Sequence, residues 1–393
     1  MQSDGHTTPQ NLPAGEQPGE PFAANEVRLL PRQWLAALAI LCTLFYLIPV
    51  LWERIEPLGP EPDYRVPYRL GSDYWIYSRS CRRVCSQDQT LVVGDSVIWG
   101  HYVGRRETLS HYLNELASRE QYANLGVDGI HPVALSGLVE YYGRSIRAKN
   151  VILHCNLLWM SSPRADLQEE SEADFNHPEL VPQFFPAVPC YREPLSGRLG
   201  IAVGRHLTFF GWANHLRMAY FEDEPELRRW TDFRTWTIAH PYDNPAGAVT
   251  LELPSPDEPP SPKPVAEPWT RQGSVPRSFP WVELETSLQW RFFRQTVEIL
   301  RARGNRVFVL VGPFNEHMLT PQSLKVYKGR LRDVEAWLQQ NQVAHYVAAA
   351  LPSENYADAS HPLPQGYRLL AGQLFESPSF VDFRPLKTYQ KRD

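Results

Sequence analysis

The sequence predicts an α/β fold in which crossover helices join the strands of a parallel sheet. Between residues 90 and 158, short apolar runs alternate with segments whose apolar residues recur at helical spacing. The same alternation returns between residues 286 and 376. The stretch between them, residues 159–285, is rich in Pro, Trp, Phe and His and breaks the pattern. We therefore expect one α/β domain that carries an irregular insertion.

Five short apolar runs predict the strands of this sheet. They cover residues 90–93, 122–125, 151–153, 306–311 and 343–347. Between them, apolar residues recur every three or four positions, which predicts helices that pack on the sheet. The α/β domain is therefore assigned to residues 89–158 and 286–393, and the insertion includes a Pro-rich segment between residues 253 and 280.

One uncharged apolar run near the N-terminus predicts a membrane helix. Residues 34–52 contain no charged side chain, and a helix of these 19 residues spans about 28 Å, close to the hydrocarbon core of a bilayer. Trp34 and Trp52 lie at its ends, where interfacial aromatic residues are expected. A cleaved signal peptide is the rival interpretation. It is disfavoured by the long polar segment before the run and by the bulky residues after it.

The segments beside this single-pass anchor are assigned from composition. Residues 1–33 are rich in Pro, Gly, Gln and Glu and are predicted to form a disordered tail. Residues 53–88 are predicted to form an irregular stalk. Basic residues lie on both sides of the anchor and do not decide its orientation. A short tail before one anchor favours an extracytoplasmic position for the large domain.

Composition excludes several classes of function. The formal net charge is -5 and no long basic run occurs, so a nucleic-acid partner is not expected. No Cys/His cluster has the spacing of a zinc site, and no Gly-rich phosphate loop occurs, so neither a metal nor a cofactor is expected. Cys81 and Cys85 form a C-x-x-x-C pair, which is either a local disulfide or two separate thiols.

A candidate nucleophile follows the first predicted strand. The sequence runs from Val92 through Gly94 and Asp95 to Ser96, so the serine lies just past a buried strand. The carboxyl edge of an open α/β sheet is where ligands bind. A helix that begins there presents free N–H groups to a developing negative charge. A turn with an N-cap serine is the alternative interpretation.

A candidate base lies near the C-terminus. A serine hydroxyl becomes a nucleophile when a base takes its proton, and imidazole titrates near neutral pH. His361 is such a base, and Asp358, three residues earlier, can fix its tautomer. By itself an Asp-x-x-His sequence is also common in surface loops.

Taken together, four motifs resemble the sequence blocks of the SGNH/GDSL hydrolase superfamily. Each motif lies at a predicted strand end, and they occur in the order of the family's blocks. The motifs are Gly94-Asp95-Ser96, Asn124-Leu125-Gly126-Val127-Asp128-Gly129, Asn156 and Asp358-x-x-His361. The resemblance covers about residues 88–158 and 286–376. It implies a flavodoxin-like, three-layer α/β/α parallel sheet of the SGNH type.

The resemblance also implies a catalytic mechanism. Ser96 would be the nucleophile, His361 its base and Asp358 the acid that orients the base. The oxyanion would be bound by the backbone N–H groups of Ser96 and Gly129 and by the side chain of Asn156. The substrate would be an ester, and the acyl group would pass to water or to a sugar hydroxyl, as in relatives that act on acetyl groups of cell-surface polysaccharides.

The third block departs from the family pattern. That block usually reads Gly-x-Asn-Asp, whereas here His154 and Leu157 replace the glycine and the aspartate around Asn156. We expect His154 to be a buried, hydrogen-bonded residue, and Asp95 to be a structural acceptor for nearby loops. Two alternatives to an enzyme remain open: a catalytically inactive binding module with the same fold, and a structural membrane protein.

Overall fold

Five parallel strands form a sheet in the computed structural model, which describes residues 29–59, 63–169, 176–221, 249–257 and 266–384. The strands are β1 (Thr90–Gly94), β2 (Tyr122–Gly126), β3 (Asn150–Cys155), β4 (Arg306–Val311) and β5 (Ala344–Val347). Their order is β2-β1-β3-β4-β5. The predicted α/β class and parallel sheet are confirmed. The chain reverses direction across the sheet between β1 and β3, and such a switch point is where open α/β sheets bind ligands.

Helices connect the strands and precede the sheet. They are α1 (Pro31–Ile55), α2 (Tyr74–Ser86), α3 (Ser96–Trp99), α4 (Leu109–Ala117), α5 (Pro132–Gly137), α6 (Leu195–Gly204), α7 (Thr208–Leu216), α8 (Leu288–Ala302), α9 (Pro321–Gln340), α10 (Pro364–Glu376) and α11 (Pro378–Phe383). Several begin at a side-chain cap. Ser287, for example, accepts from the N–H of Trp290 at the start of α8, and Thr320 caps α9 in the same way.

Both faces of the sheet are covered by helices, because alternate residues of each strand point to opposite faces. On one face Val93 and Leu153 pack with residues of α2, α5, α8 and α9. On the other face Val92, Ile152 and Phe308 pack with residues of α3, α4, α10 and α11. The result is three layers, with strands that are apolar on both sides.

The segment after the apolar run differs from the predicted stalk. Within residues 53–88, helix α2 is capped by Asp73, whose side chain accepts from the N–H of Ile76. Trp75 and Ile76 are buried and belong to the core on one face of the sheet. An amphipathic, capped helix therefore replaces irregular chain, and this segment is part of the folded domain. Cys81 in this helix is a free thiol, as is the nearby Cys85.

A buried group of charged side chains joins the end of α1 to α2 and α7. His215 lies between two carboxylates: its Nε2 is 2.7 Å from Glu56 Oε1, and its Nδ1 is 2.6 Å from Asp73 Oδ2. Tyr220 donates to Glu56, and Arg79 forms an ion pair with it. Burial lowers the pKa of His215, but the two carboxylates outweigh this effect and raise the pKa to about 9.

The predicted insertion contains α6, α7 and a packed cluster. Leu167, Val181 and Tyr191 are buried against Val133 of α5 and Phe292 of α8. The end of the insertion returns to the sheet, where Trp269 donates its backbone N–H to the carbonyl of Tyr356. Residues 170–175, 222–248 and 258–265, which include part of the Pro-rich segment, lie outside the described residues.

Helix α1 is long and apolar enough to cross a bilayer, and it is the only such helix in the part of the chain that the structure describes. It covers 25 residues, so it extends beyond both ends of the predicted 34–52 span. The predicted tail falls partly on this helix, since residues 31–33 are helical, while residues 1–28 lie outside the described residues. The chain divides between Leu47 and Ile48 into two compact units.

Candidate active site

The first element of the site is the turn between β1 and α3. At Gly94 a Cβ atom would lie 2.6 Å from the Cβ of His154, so only glycine allows this approach of the two strands. Asp95 is the N-cap of α3 and accepts from the N–H of Val97 at 3.1 Å. Ser96, the first residue of α3, is 7% exposed. Its backbone N–H is one of those that have no acceptor within the helix.

Three side chains form a chain of hydrogen bonds at this turn. His361 Nε2 lies 2.8 Å from Ser96 Oγ. On the other side of the ring, His361 Nδ1 lies 2.8 Å from Asp358 Oδ2. The structure therefore brings together the three residues predicted as nucleophile, base and acid. Because Asp358 accepts at Nδ1, the neutral ring carries its proton there, and Nε2 is free to accept from Ser96.

The loop that carries the base is fixed by two kinds of contact. The carboxylate of Asp358 accepts from the backbone N–H groups of Ser360 and His361 at 2.9 and 3.0 Å. Asn315, which follows β4, donates its backbone N–H to the carbonyl of Ala359 and its side-chain amide to the carbonyl of Asp358. The segment that follows β4 therefore helps to hold the imidazole toward Ser96.

The two titratable members of this group shift each other's pKa. Burial raises the pKa of Asp358, but the charge of His361 and the hydrogen bonds to the carboxylate outweigh burial and lower the pKa to about 2. Burial lowers the pKa of His361, but Asp358 outweighs it, and the more distant Asp95 and Asp128 add to the increase, so the pKa is raised. The carboxylate is therefore charged at neutral pH and stabilises the imidazolium.

Asp95 is the centre of a second buried network behind the nucleophile. Its carboxylate accepts from His154 Nδ1 at 2.9 Å, from Asn156 Nδ2 at 2.8 Å and from Trp159 Nε1 at 3.0 Å. His154 Nε2 donates to the carbonyl of Gly312. Both ring nitrogens therefore face acceptors, and the buried ring pairs with the Asp95 carboxylate.

The charge of His154 explains the protonation state of this carboxylate. Burial raises the pKa of Asp95, but the positive charge of His154 and the three donors outweigh burial and lower the pKa to about 2. His154 is buried, as expected, and Asp95 accepts from the segment that follows β3, as expected. These contacts tie the strand ends of β1 and β3 together at the switch point.

The three predicted oxyanion donors lie at the same edge of the sheet. Asp95, which precedes Ser96 in the chain, accepts one N–H of the Asn156 side-chain amide. The second N–H of that amide remains available as a donor. Gly129 lies in the turn after β2, with φ +69°. That turn begins beside the nucleophile, because Gly126 pairs with the last residue of β1. Each donor therefore follows one of three adjacent strands, β2, β1 and β3.

No model of a known protein family matches this chain, and a search of curated proteins finds no significant relative. Within the part of the chain that the structure describes, no group of three or more His, Cys, Asp or Glu side chains is arranged to hold a metal ion. The chemistry of the site is therefore inferred from its own geometry.

Two residues at the mouth of the site, His101 and Tyr102, were missed in the sequence, and a third, Asp128, was named there only as part of the second motif. His101 Nδ1 lies 2.6 Å from Asp128 Oδ1, and its ring centre is 5.3 Å from that of His361. The ring of Tyr102 is 5.4 Å from that of His361, and burial and the nearby Asp358 raise the Tyr102 pKa to about 12. Their positions in the sequence could have indicated a role in the site: His101 and Tyr102 follow Ser96 closely, and Asp128 is next to Gly129 in the second motif.

Proposed function

We propose that this chain is a membrane-anchored serine esterase or O-acyltransferase of the SGNH type. The observation that carries the proposal is the 2.8 Å contact between Ser96 Oγ and His361 Nε2, with Asp358 bonded to the other ring nitrogen. A nucleophile, a base within hydrogen-bond reach and a group that orients the base are the parts that acyl transfer requires. The strand order and the three adjacent candidate donors support the same reaction.

The reaction proceeds through an acyl-enzyme. Ser96 Oγ attacks the ester carbonyl carbon while His361 Nε2 takes its proton. The oxyanion is bound by the N–H groups of Ser96 and Gly129 and by the free amide N–H of Asn156. When the intermediate collapses, the proton on Nε2 passes to the departing alcohol. A water molecule or a sugar hydroxyl then loses its proton to the same nitrogen and attacks the acyl carbon. When this second intermediate collapses, the bond to Ser96 Oγ breaks and the proton passes from Nε2 to that oxygen, which restores the serine.

The surroundings of the serine support a carbohydrate ester as substrate. Tyr102 is 39% exposed beside His361, so an aromatic face borders the nucleophile and is available to a sugar ring. His101 and Asp128 add hydrogen-bonding groups at the same border. An acetyl group on a cell-surface polysaccharide fits this proposal. Helix α1 supports a single-pass anchor, and we place the large domain on the extracytoplasmic side.

Covalent labelling tests whether Ser96 is an activated nucleophile. A fluorophosphonate probe is expected to label the full-length chain at Ser96, because only a serine whose proton is taken by a base reacts readily with it. Labelling is read by gel fluorescence and by mass spectrometry of the modified peptide. Ser96→Ala is expected to abolish the signal. Ser86→Ala, which alters an exposed serine at the end of α2, is the matched control.

The labelling result separates the proposal from its two alternatives. Full labelling of the Ser96→Ala chain would contradict the assigned nucleophile. A wild-type chain that binds acetylated glycan but neither reacts with the probe nor cleaves p-nitrophenyl acetate would be a binding module. A folded chain that does neither and binds no glycan would be a structural membrane protein.

The pH dependence of ester cleavage tests the base. His361 accepts a proton from Ser96 only when its ring is neutral, and Asp358 raises the His361 pKa above its ordinary value of 6.5. We therefore expect kcat/KM to fall as the pH is lowered, with a midpoint above 6.5. Asp358→Asn removes the charge that stabilises the imidazolium, so the midpoint should move to lower pH.

Glu376→Gln is the control for the pH experiment, since this carboxylate is exposed at the end of α10. It should leave the midpoint unchanged. A wild-type midpoint below the ordinary histidine value, or one that Asp358→Asn does not move, would contradict the assigned pair.

A further inference from the structure

Helix α6 presents an apolar face to solvent. Leu195, Leu199 and Val203 are 66%, 51% and 53% exposed, and their spacing of four places them on one side of the helix. All of α6 is described, and none of its residues is buried. Leu207 and Phe210, 42% and 45% exposed, continue this surface into α7. A continuous apolar patch of this kind marks an interaction site, whereas single exposed apolar residues do not.

The charges of this segment are of one sign. Residues 194–221 contain three Arg and two His but no Asp or Glu. Arg198 and Arg205 donate to backbone carbonyls, which fixes the guanidinium groups. One carboxylate of the groove lining, Glu179, interacts with the charges of Arg205 and Arg217, so these three arginines outnumber the nearby acid. A helix with an exposed apolar face and basic neighbours is typical of segments that lie in the membrane interface, where anionic lipids attract the basic groups.

The position of α7 in the fold brings this surface to the end of α1. The ring of Trp212 in α7 lies 5.9 Å from that of Trp52, and the ring of Tyr220 lies 6.4 Å from it. Trp52 also donates to Glu56, the carboxylate that His215 contacts. Trp52 ends the apolar run, and Trp at such an end lies at the level of the lipid headgroups. An anchor at that depth therefore places α7 at the headgroups.

An open groove adjoins the same surface. It has a volume of about 620 Å³ and is lined mainly by apolar side chains of α2, α6 and α7. Its lining includes Trp75, Leu199, Val203 and Phe210. The apolar surface is therefore concave as well as exposed, which suits the flexible acyl chains of lipids better than a flat rigid partner.

The groove is also connected to the candidate active site. Tyr74, which lines the groove, donates its hydroxyl to His177 Nδ1 at 3.1 Å. His177 Nε2 donates to the carbonyl of Asp128 at 2.9 Å, next to Gly129. Burial lowers the pKa of His177, which agrees with a neutral ring that accepts at Nδ1. Two successive hydrogen bonds therefore link this surface to the turn that contains Gly129.

We propose that the surface formed by α6 and the start of α7, residues 195–210, lies in the interface of the bilayer beside the end of α1. Its apolar side chains contact the upper part of the acyl chains, and its basic residues face anionic headgroups. The occupant of this surface is lipid, not a protein partner. This second contact rests on the proposed anchor, and it fixes the orientation of the domain and of Ser96 relative to the membrane.

Photo-crosslinking tests the contact in the full-length chain. The chain is placed in nanodiscs of phosphatidylcholine and phosphatidylglycerol, with photoreactive benzoylphenylalanine in place of Leu199 or Val203. The control is the same replacement at Leu116, which is 45% exposed on α4, across the sheet from α2. We expect about tenfold more phospholipid adduct at Leu199 and Val203 than at Leu116 by mass spectrometry, because only an interfacial segment contacts acyl chains. Near-ultraviolet circular dichroism reports whether each variant is folded, independently of any activity.

Several outcomes would overturn the proposal. Equal adduct yields at the three positions would show that this surface faces water. Adducts to protein alone, either to a second copy or to another chain, would replace lipid as the occupant. Release of the wild-type chain from membranes by alkaline carbonate would contradict the anchor and with it the second contact. Labelling of Ser96 is measured separately, so the proposed enzymatic function is tested independently of these results.

Discussion

Replacing His361 by alanine is expected to lower kcat for ester cleavage by about 10⁴- to 10⁶-fold, with little change in KM. The base contacts the serine proton rather than the bound ester, so its loss acts on the transition state. Because Ser96 and His361 work as a unit, the double variant His361→Ala with Ser96→Ala should be no slower than either single variant. The measurement is steady-state hydrolysis of p-nitrophenyl acetate by the full-length chain in detergent.

His345→Ala is the matched control for this experiment. His345 is half-buried in β5, at the opposite edge of the sheet from β2, and it bonds to a backbone carbonyl. Its replacement should leave kcat within a factor of about two, since most substitutions away from a site have small effects. Equal activity in the His361→Ala and wild-type chains would contradict the assigned base. Losses that add in the double variant would show that the two residues act separately.

The sheet and the three hydrogen-bonded residues could be predicted because each depends on local sequence and on one rule of topology. An apolar run followed by a turn predicts a buried strand. Parallel strands place their carboxyl ends at one edge, so residues after different strands meet there. Ser96 and His361 are 265 positions apart in the chain and yet share a hydrogen bond for this reason.

Segment 53–88 could not be predicted because the residues that bury it are distant in sequence. Helix α2 is rich in arginine, so the segment resembles polar surface chain. Its cap Asp73 is bonded to His215, which is 142 positions later. That histidine lies in the insertion, where the apolar pattern gave no element boundaries. The pairing of His101 with Asp128 was missed for a similar reason, since nothing in the sequence shows that two turns face each other.

Asp95→Ala is expected to lower the free energy of unfolding by about 3–5 kcal/mol, because it leaves the buried His154 ring without the carboxylate that it contacts. The amide of Asn156 and the indole N–H of Trp159 would lose their acceptor as well. Asp95→Asn retains an acceptor oxygen, so its loss should be smaller. Unfolding is measured for the full-length chain in detergent by fluorescence against denaturant.

A double variant isolates the ion pair from the remaining contacts of Asp95. His154→Leu combined with Asp95→Ala removes the unpaired imidazole as well and should recover part of the lost stability, since apolar replacement of both partners is often tolerated. Asp382→Ala, at an exposed carboxylate of α11, is the control and should change stability by less than about 0.5 kcal/mol.

The stabilisation that the Asp95 carboxylate provides is expected to depend on pH. The pKa of Asp95 falls from 3.8 to about 2 in the folded chain, so its contribution is complete above the higher value and is lost as pH falls toward the lower one. Asp95→Ala should therefore destabilise the chain at neutral pH and much less at the acidic end of this range. A loss that is the same at both pH values would mean that packing at the turn, rather than the charge of Asp95, holds the nucleophile in place.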